Sequence, residues 1–196
     1  MDINETLIEN IRSYIEKNLD NARYEHSLRV AKTALALCKK YGVDEEATYL
    51  AAISHDMCKT MDHDTLLLLA KEDGKEISEL EKTKPSLLHG RAAAVKLSKD
   101  FGIQDKNILE AVSVHTFGKS GMGDIAKIVY VADKIEPGRS YITLSYMESL
   151  ANLSLNNLVK TVLSNTILYL QKKGLEVAPD ALDLLSYLEK NNVDEE

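Results

Sequence analysis

Apolar residues recur at spacings of three and four along most of this chain, and such spacing is typical of helices with one buried face. Alternation of apolar and polar residues, which would indicate strands, is scarce. The sequence therefore predicts an all-α protein. The apolar face of the first helix consists of Ile3, Leu7, Ile8, Ile11, Tyr14 and Ile15.

Capping and stop residues divide the rest of the chain. Asn21 is the predicted N-cap of a long helix that ends at Gly42, and Asp44 opens a third helix. Residues 75–86 are polar and contain Pro85, which indicates a loop with one helical turn. Further helices are predicted over residues 62–71, 87–101, 104–115, 124–134, 143–150, 154–173 and 179–190. We expect a single domain, 1–196, whose C-terminal helices, 141–196, pack on a core of about 20–140.

Charge and cysteine content narrow the range of functions. A net charge of −7 argues against bulk binding to nucleic acid, which requires a basic surface. The acidic N-terminus is not typical of a signal peptide, and the longest aliphatic run, residues 66–70, is too short to cross a bilayer. Cys38 and Cys58 form no disulfide framework. We expect a cytoplasmic protein without nucleic acid or membrane partners. A homodimer is compatible with this charge and cysteine content.

The histidines are placed unusually. Four of the five lie inside or at the ends of predicted helices, and one of these, His55, is followed directly by Asp56. A further carboxylate, Asp133, follows an apolar run. Imidazole and carboxylate donors from three helices that meet at one point in a bundle suit a divalent transition metal. The ordered series of candidate donors is His26, His55-Asp56, His89, His115 and Asp133.

Each of these residues also has a structural explanation. His26 alone would more often be a packing histidine, and His55-Asp56 alone often caps a helix. His89 is also consistent with a helix start, and His115 with a helix C-terminus. Asp133 has Lys134 and Arg139 as candidate ion-pair partners. The metal-site interpretation therefore rests on the whole series. The remaining histidine, His63, lies in a polar turn and is expected to face solvent.

Positive residues accompany nearly every candidate ligand, although the chain as a whole is acidic. Arginine and lysine are the usual partners of phosphate, so this clustering indicates a phosphate-containing substrate. Each lysine alone would more often be a solvated surface charge. The glycine-rich segment 116–123 lacks the spacing of a nucleotide-binding P-loop. The cations concerned are Lys59, Arg91, Lys119, Lys134 and Arg139, with Arg23 and Arg29 flanking His26.

The same series resembles the HD-domain metal-dependent phosphohydrolases. Four stretches resemble, more closely, the bacterial YqeK family, which is taken to be symmetrical diadenosine tetraphosphate hydrolases. The resemblance covers roughly residues 5–190, and the last stretch is specific to the family. The stretches are 21–30 (NARYEHSLRV), 51–59 (AAISHDMCK), 115–118 (HTFG) with Met122, and 132–139 (ADKIEPGR).

The resemblance implies an HD-domain helical bundle with additional C-terminal helices, and a bound iron or another divalent transition metal such as manganese or cobalt. One ion is expected, and two are compatible with the series. By position, the metal ligands are His26, His55, Asp56 and Asp133. His89 and His115 match the histidines that hold a second metal in two-metal HD enzymes, but are assigned here to the substrate phosphates. The implied catalytic residues are Asp56, Lys59, His89, His115 and Asp133, and the implied substrate contacts are Arg23, Lys59, His89, His115, Thr116, Lys134, Glu136 and Arg139.

The expected reaction is attack of an activated water on a polyphosphate, which for diadenosine tetraphosphate yields two ADP. Two alternatives stay open at this stage. One is another HD-type nucleotide phosphatase or phosphodiesterase. The other is a module that senses a nucleotide or metal without turnover.

Overall fold

The computed structural model describes residues 4–191, which form eleven α-helices and one short 3-10 helix and contain no strand. The all-α prediction is confirmed. Ile3, which we counted in the first helix, and residues 192–196 lie outside the described residues. No helix within 4–191 has the length and apolar character needed to cross a membrane. The helices are α1 (Glu5–Asn18), α2 (Asn21–Tyr41), α3 (Glu45–Ser54), α4 (His63–Lys71), α5 (Glu79–Thr83), the 3-10 helix (Pro85–Leu88), α6 (His89–Asp100), α7 (Lys106–Val114), α8 (Asp124–Ile135), α9 (Leu144–Leu150), α10 (Leu155–Lys172) and α11 (Pro179–Asn191).

The helix boundaries follow local capping chemistry, with one correction. The N-cap of α2 is Asp20 and not Asn21, because the Asp20 carboxylate accepts a hydrogen bond from the backbone N–H of Arg23 at 2.8 Å. Gly42 ends α2 with a φ of 68°, a conformation that favours glycine. Asp44 caps α3 as predicted. The expected loop at 75–86 contains α5 and the first two residues of the 3-10 helix.

Helix α3 lies at the centre of the bundle and packs against α1, α2, α7 and α8. Almost all of its residues from Ala47 to Ser54 are buried. Because α3 ends inside the molecule, the two polar residues that follow it, His55 and Asp56, are buried as well. The position of α3 thus buries a pair of polar residues. Because water does not reach them, their polar atoms need partners from other protein groups or from a ligand.

One of the C-terminal helices packs directly on α8, the helix that carries Asp133. Helix α10 packs against α8 and α11. Its buried face belongs to the same hydrophobic cluster as the interior residues of α2, α3 and α8. Leu158 is 1% exposed and Leu168, on the same helix, is 52% exposed. This packing supports the proposal of a single domain.

We predict that Leu158→Ala lowers the free energy of unfolding by about 2–5 kcal/mol, because it removes a fully buried side chain and leaves a cavity. Denaturant unfolding followed by circular dichroism should show one transition, shifted to lower denaturant. Leu168→Ala is the matched control and should change stability by less than about 0.5 kcal/mol. Two separate transitions in either protein would contradict the single-domain proposal.

Candidate metal centre

Four imidazoles meet at the centre of the bundle in a continuous row. The ring centroids of His26 and His55 lie 5.4 Å apart, and those of His55 and His115 lie 4.8 Å apart. His89 completes the row, 4.8 Å from His115. All four residues are at most 5% exposed. The structure thus brings together residues that are up to 89 positions apart in the sequence.

Three of the histidines are held in the same way. Each follows directly after a helix, and its Nδ1 lies 2.7 Å from the backbone oxygen three residues earlier. These carbonyls are in the last helical turn, where they lack a partner within the helix, so Nδ1–H donates to them. Nε2 is then the ring nitrogen left with a lone pair for a ligand. The histidines are His55 after α3, His89 after the 3-10 helix and His115 after α7.

Asp56 lies between two pairs of histidines and presents one oxygen to each. Its Oδ2 is 3.9 Å from Nε2 of His26 and 3.7 Å from Nε2 of His55. Its Oδ1 is 3.0 Å from Nε2 of His89 and 3.6 Å from Nε2 of His115. The carboxylate therefore has the position of a shared ligand between two groups of nitrogen donors.

Asp133 completes the first group. Its Oδ1 lies 3.0 Å from Nε2 of His26 and 3.8 Å from Nε2 of His55. Asp133 also makes both ion pairs named as its structural alternative: Lys134 Nζ is 3.2 Å from Oδ2, and Arg139 Nη2 is 2.6 Å from Oδ1. Ion pairing and a position beside the histidines therefore coexist at this residue.

The donor set fits a metal ion. Nε2 of His26 and Nε2 of His55 are buried and have no hydrogen-bond partner among the described residues. An unsatisfied buried polar atom is costly, and a bound cation would satisfy both nitrogens at once. His26, His55 and Asp56 place their ligand atoms within 4.8 Å of one another, as do Asp56, His89 and His115. Imidazole and carboxylate together suit several first-row divalent metals.

Burial and neighbouring charge set the protonation states needed for such a site. Burial lowers the pKa of His115 to about 3 and also lowers the pKa of His55, so both rings are neutral near pH 7. Burial raises the pKa of the Asp56 carboxyl, but the surrounding imidazoles, His55 first, outweigh this and hold that pKa well below its usual value. At Asp133, Lys134 and His26 likewise overcome burial and lower the pKa. Neutral imidazoles and ionised carboxylates are the forms that bind metals.

Glu136 lies behind His26. Its Oε1 is 3.1 Å from Nδ1 of His26, and its Oε2 accepts hydrogen bonds from Arg29 Nε and from the backbone N–H of Gly138, both at 2.6 Å. With 1% of its surface exposed, Glu136 is placed to orient His26. From the sequence we expected Glu136 to contact the substrate, and we named Arg29 only as a cation that flanks His26. The position of Arg29, three residues after His26 on one helix face, was the signal for its role.

Four predicted cations border the centre. Lys59 Nζ is 3.0 Å from Nε2 of His89 and 3.7 Å from Oδ1 of Asp56. Arg23 Nη1 is 3.3 Å from Oδ2 of Asp56. The side chains of Arg23, Lys59 and Arg139 are 40%, 28% and 31% exposed, so they reach from the buried carboxylates to the surface. The fourth cation is Lys134, which also donates to the backbone oxygen of His115.

Two other cations are engaged elsewhere. Arg91 pairs with Asp73 and Glu81, and so fastens the segment before α6 to that helix. Lys119 is paired with Glu110.

The hydroxyl of Thr116, the residue after His115, is buried and has no hydrogen-bond partner among the described residues. His63 is exposed at the start of α4, as expected.

Gly90 allows α6 and α7 to approach closely enough for His89 and His115 to meet. A Cβ atom at Gly90 would lie 2.9 Å from Cε1 of His115 and 2.9 Å from the backbone oxygen of Val112. Those are the two groups whose hydrogen bond fixes the His115 ring. A side chain at this position would have to move the ring or the helix.

Comparison with known proteins places this arrangement in a family. The family model for the HD domain matches residues 23–138, a range that contains all six candidate donors. The chain belongs to the HD domain family. The expectation drawn from its sequence motifs is therefore confirmed.

Relatives and a solved structure show which members of the HD domain family this chain is similar to. A Bacillus subtilis protein named bis(5'-nucleosyl)-tetraphosphatase, symmetrical, is 33% identical over 181 residues, which is 89% of this chain and 93% of the relative. A Halalkalibacterium halodurans protein of the same name is 33% identical over 168 residues, 86% and 89% of the two chains. A crystal structure from Clostridium acetobutylicum, described as a predicted HD superfamily hydrolase involved in NAD metabolism, matches with a TM-score of 0.86 and 31% identity over 93% of this chain and 96% of the other.

We predict that Gly90→Ala lowers hydrolytic activity by about tenfold or more, because the new methyl group displaces His115. Gly123→Ala is the matched control: a Cβ there meets only Glu110 Oε2 at an ordinary 3.5 Å and the backbone is not strained. Both proteins should be assayed for bound metal and for turnover. Equal activity in Gly90→Ala and Gly123→Ala would show that the close approach is not needed.

Proposed function

We propose that this chain is a metal-dependent phosphohydrolase that cleaves diadenosine tetraphosphate symmetrically into two molecules of ADP. The observation that carries the proposal is the convergence of four buried histidines on Asp56, bordered by cations that suit phosphate. The names of two relatives that align over most of their length support the choice of substrate. A cytoplasmic location and a homodimer remain predictions.

We propose two adjoining ion positions. The first uses Nε2 of His26, Nε2 of His55, Asp56 Oδ2 and Asp133 Oδ1. The second uses Asp56 Oδ1 with Nε2 of His89 and of His115. For the last two histidines, the carbonyl-anchored rings and the Nε2 atoms that face Oδ1 of Asp56 favour a ligand role over the direct phosphate contact expected from the sequence. Iron is the metal implied by the family resemblance, and manganese and cobalt accept the same donors.

Divalent ions held by such donors polarise phosphoryl oxygens and acidify water. The protein itself holds the phosphate chain and orients the water. Asp56 and Asp133, kept ionised, are placed to accept hydrogen bonds from that water. Its oxygen adds to the second phosphorus of the tetraphosphate, and the bond from that phosphorus to the oxygen bridging to the third phosphate breaks. With one water consumed, each half leaves as ADP.

Charge at the rim supports binding of a polyanion by an acidic protein. Arg23, Lys59 and Arg139 reach the surface beside the two central carboxylates. Burial lowers the pKa of Lys59 and Asp56 opposes that shift, so the ammonium is held at the rim by the same carboxylate that anchors the centre. These cations are positioned to contact the non-bridging oxygens of the substrate.

We predict that His55→Ala loses bound metal and lowers turnover at least about 100-fold, because removal of a ligand should cost more than removal of an outer-shell partner. His63→Ala, which changes an exposed histidine, should keep both properties. Metal would be measured by mass spectrometry of the purified proteins. Full turnover by a metal-free His55→Ala protein would overturn the proposal.

Product analysis distinguishes this activity from the alternatives. Diadenosine tetraphosphate should yield ADP alone, because attack falls at the centre of the phosphate chain. ATP with AMP would indicate asymmetric cleavage. Inorganic phosphate released from mononucleotides would indicate a phosphatase. Nucleotide binding with no product from metal-loaded protein would indicate a sensing module.

We predict that Lys59→Ala keeps its metal but lowers kcat/KM by about 10- to 150-fold, the range for loss of a charge-assisted hydrogen bond. The comparison is Lys119→Ala, which removes a lysine of similar chemistry already paired with Glu110. Steady-state kinetics and metal analysis would be run on both. If the two variants have the same kcat/KM, Lys59 does not contact the substrate.

A further inference from the structure

The segment after α8 folds back across the end of that helix. Arg139 donates through Nε and Nη2 to the backbone oxygen of Asp133, at 2.9 and 2.7 Å. Tyr141 donates its hydroxyl to the backbone oxygen of Lys134 at 2.8 Å. The two side chains are thus anchored to consecutive residues, and the first of these is a proposed metal ligand. The tyrosine hydroxyl therefore lies at the C-terminal end of α8, where the charges that act on it include those of Arg139 and Asp133.

The Tyr141 ring is exposed although it is held in place. Tyr141 is 60% exposed, and Leu144, at the start of α9, is 77% exposed. The other large exposed apolar residues of the described chain are found on α4, on α10 and α11, and on the connection between α10 and α11. Those residues are Leu68, Leu168, Tyr169, Leu175, Leu182 and Tyr187.

A fixed, exposed aromatic ring next to a phosphate site has the properties of a stacking surface. Burial raises the pKa of Tyr141, so its hydroxyl stays protonated and keeps its hydrogen bond near neutral pH. That bond limits rotation of the ring before any ligand arrives, which lowers the entropy lost on binding. Nucleobases stack on such rings with little dependence on base identity, because every base has an aromatic face.

We propose that Tyr141 binds the nucleobase of one half of the substrate by stacking, with Leu144 adding apolar surface at the same place. The assignment of the ligand as a nucleoside diphosphate unit rests on the proposed function. With the phosphates held between Arg139 and the metal centre, the base lies one ribose away from the phosphate chain. Tyr141 is within two residues of Arg139, so it is the exposed aromatic ring suited to receive that base.

Binding of ADP to the full-length, metal-loaded protein tests the proposal without requiring turnover. Titration calorimetry should show that Tyr141→Ala raises the Kd for ADP by about 5- to 150-fold, the range for loss of base stacking. Tyr141→Phe keeps the ring and should stay within about threefold of the unsubstituted protein, since it loses only a neutral hydrogen bond. Pyrophosphate, which has no base, should bind equally to all three proteins. Tyr187→Ala, at an exposed tyrosine on α11, is the matched control.

Several results would overturn the proposal. These are an unchanged Kd for ADP in Tyr141→Ala, an equal loss of ADP and pyrophosphate binding, a phenylalanine variant as weak as the alanine variant, or no ADP binding by the unsubstituted protein. Parallel assays of diadenosine tetraphosphate cleavage separate this inference from the proposed function. If cleavage is absent but ADP binding depends on the Tyr141 ring, only the proposed reaction fails. If cleavage occurs and ADP binding ignores that ring, only the stacking site fails.

Discussion

The carboxylate of Asp56, 2% exposed, is the group on which the rest of the structure depends. A buried charge without partners is strongly destabilising, so helices must bring compensating groups to it. They do so from both sides, since α2 contributes His26 and the connection after α7 contributes His115. The same requirement makes the centre suited to cations, because the four imidazoles and the two ionised carboxylates cannot satisfy one another fully. Two imidazole nitrogens accordingly stay without a hydrogen bond among the described residues.

The same kind of local hydrogen bond positions three of the four histidines. A helix end leaves carbonyl groups without partners, and a histidine placed directly after the helix donates Nδ1–H to one of them. The hydrogen bond completes the helix end and also turns Nε2 towards the interior. His26 lies within α2, where the carbonyls are already bonded, and it is held by Glu136 instead. One hydrogen bond at each of these three helix ends therefore both stabilises the helix and orients the histidine as a metal ligand.

The sequence predicted much of this arrangement, for identifiable physical reasons. Helical periodicity and N-caps such as Asp44 act locally, so the helices and most of their ends could be predicted, apart from the shift of the α2 N-cap from Asn21 to Asp20. The ordered histidines and aspartates indicated convergence because they lie inside or at the ends of predicted helices. The distances between helices could not be predicted from the sequence. These distances determine that Arg91 pairs with a neighbouring segment and that Glu136 contacts His26. The role of Gly90 depends on the same distances, since only the packing of α6 on α7 shows what a side chain there would strike.

Anomalous diffraction from crystals of the metal-loaded protein would locate the metal ions relative to Asp56. We expect one ion within bonding distance of Nε2 of His26, Nε2 of His55, Asp56 and Asp133. We expect a second ion on the other oxygen of Asp56, bound also by His89 and His115. A metal peak that makes no contact with Asp56, or no peak in the protein interior, would contradict this arrangement.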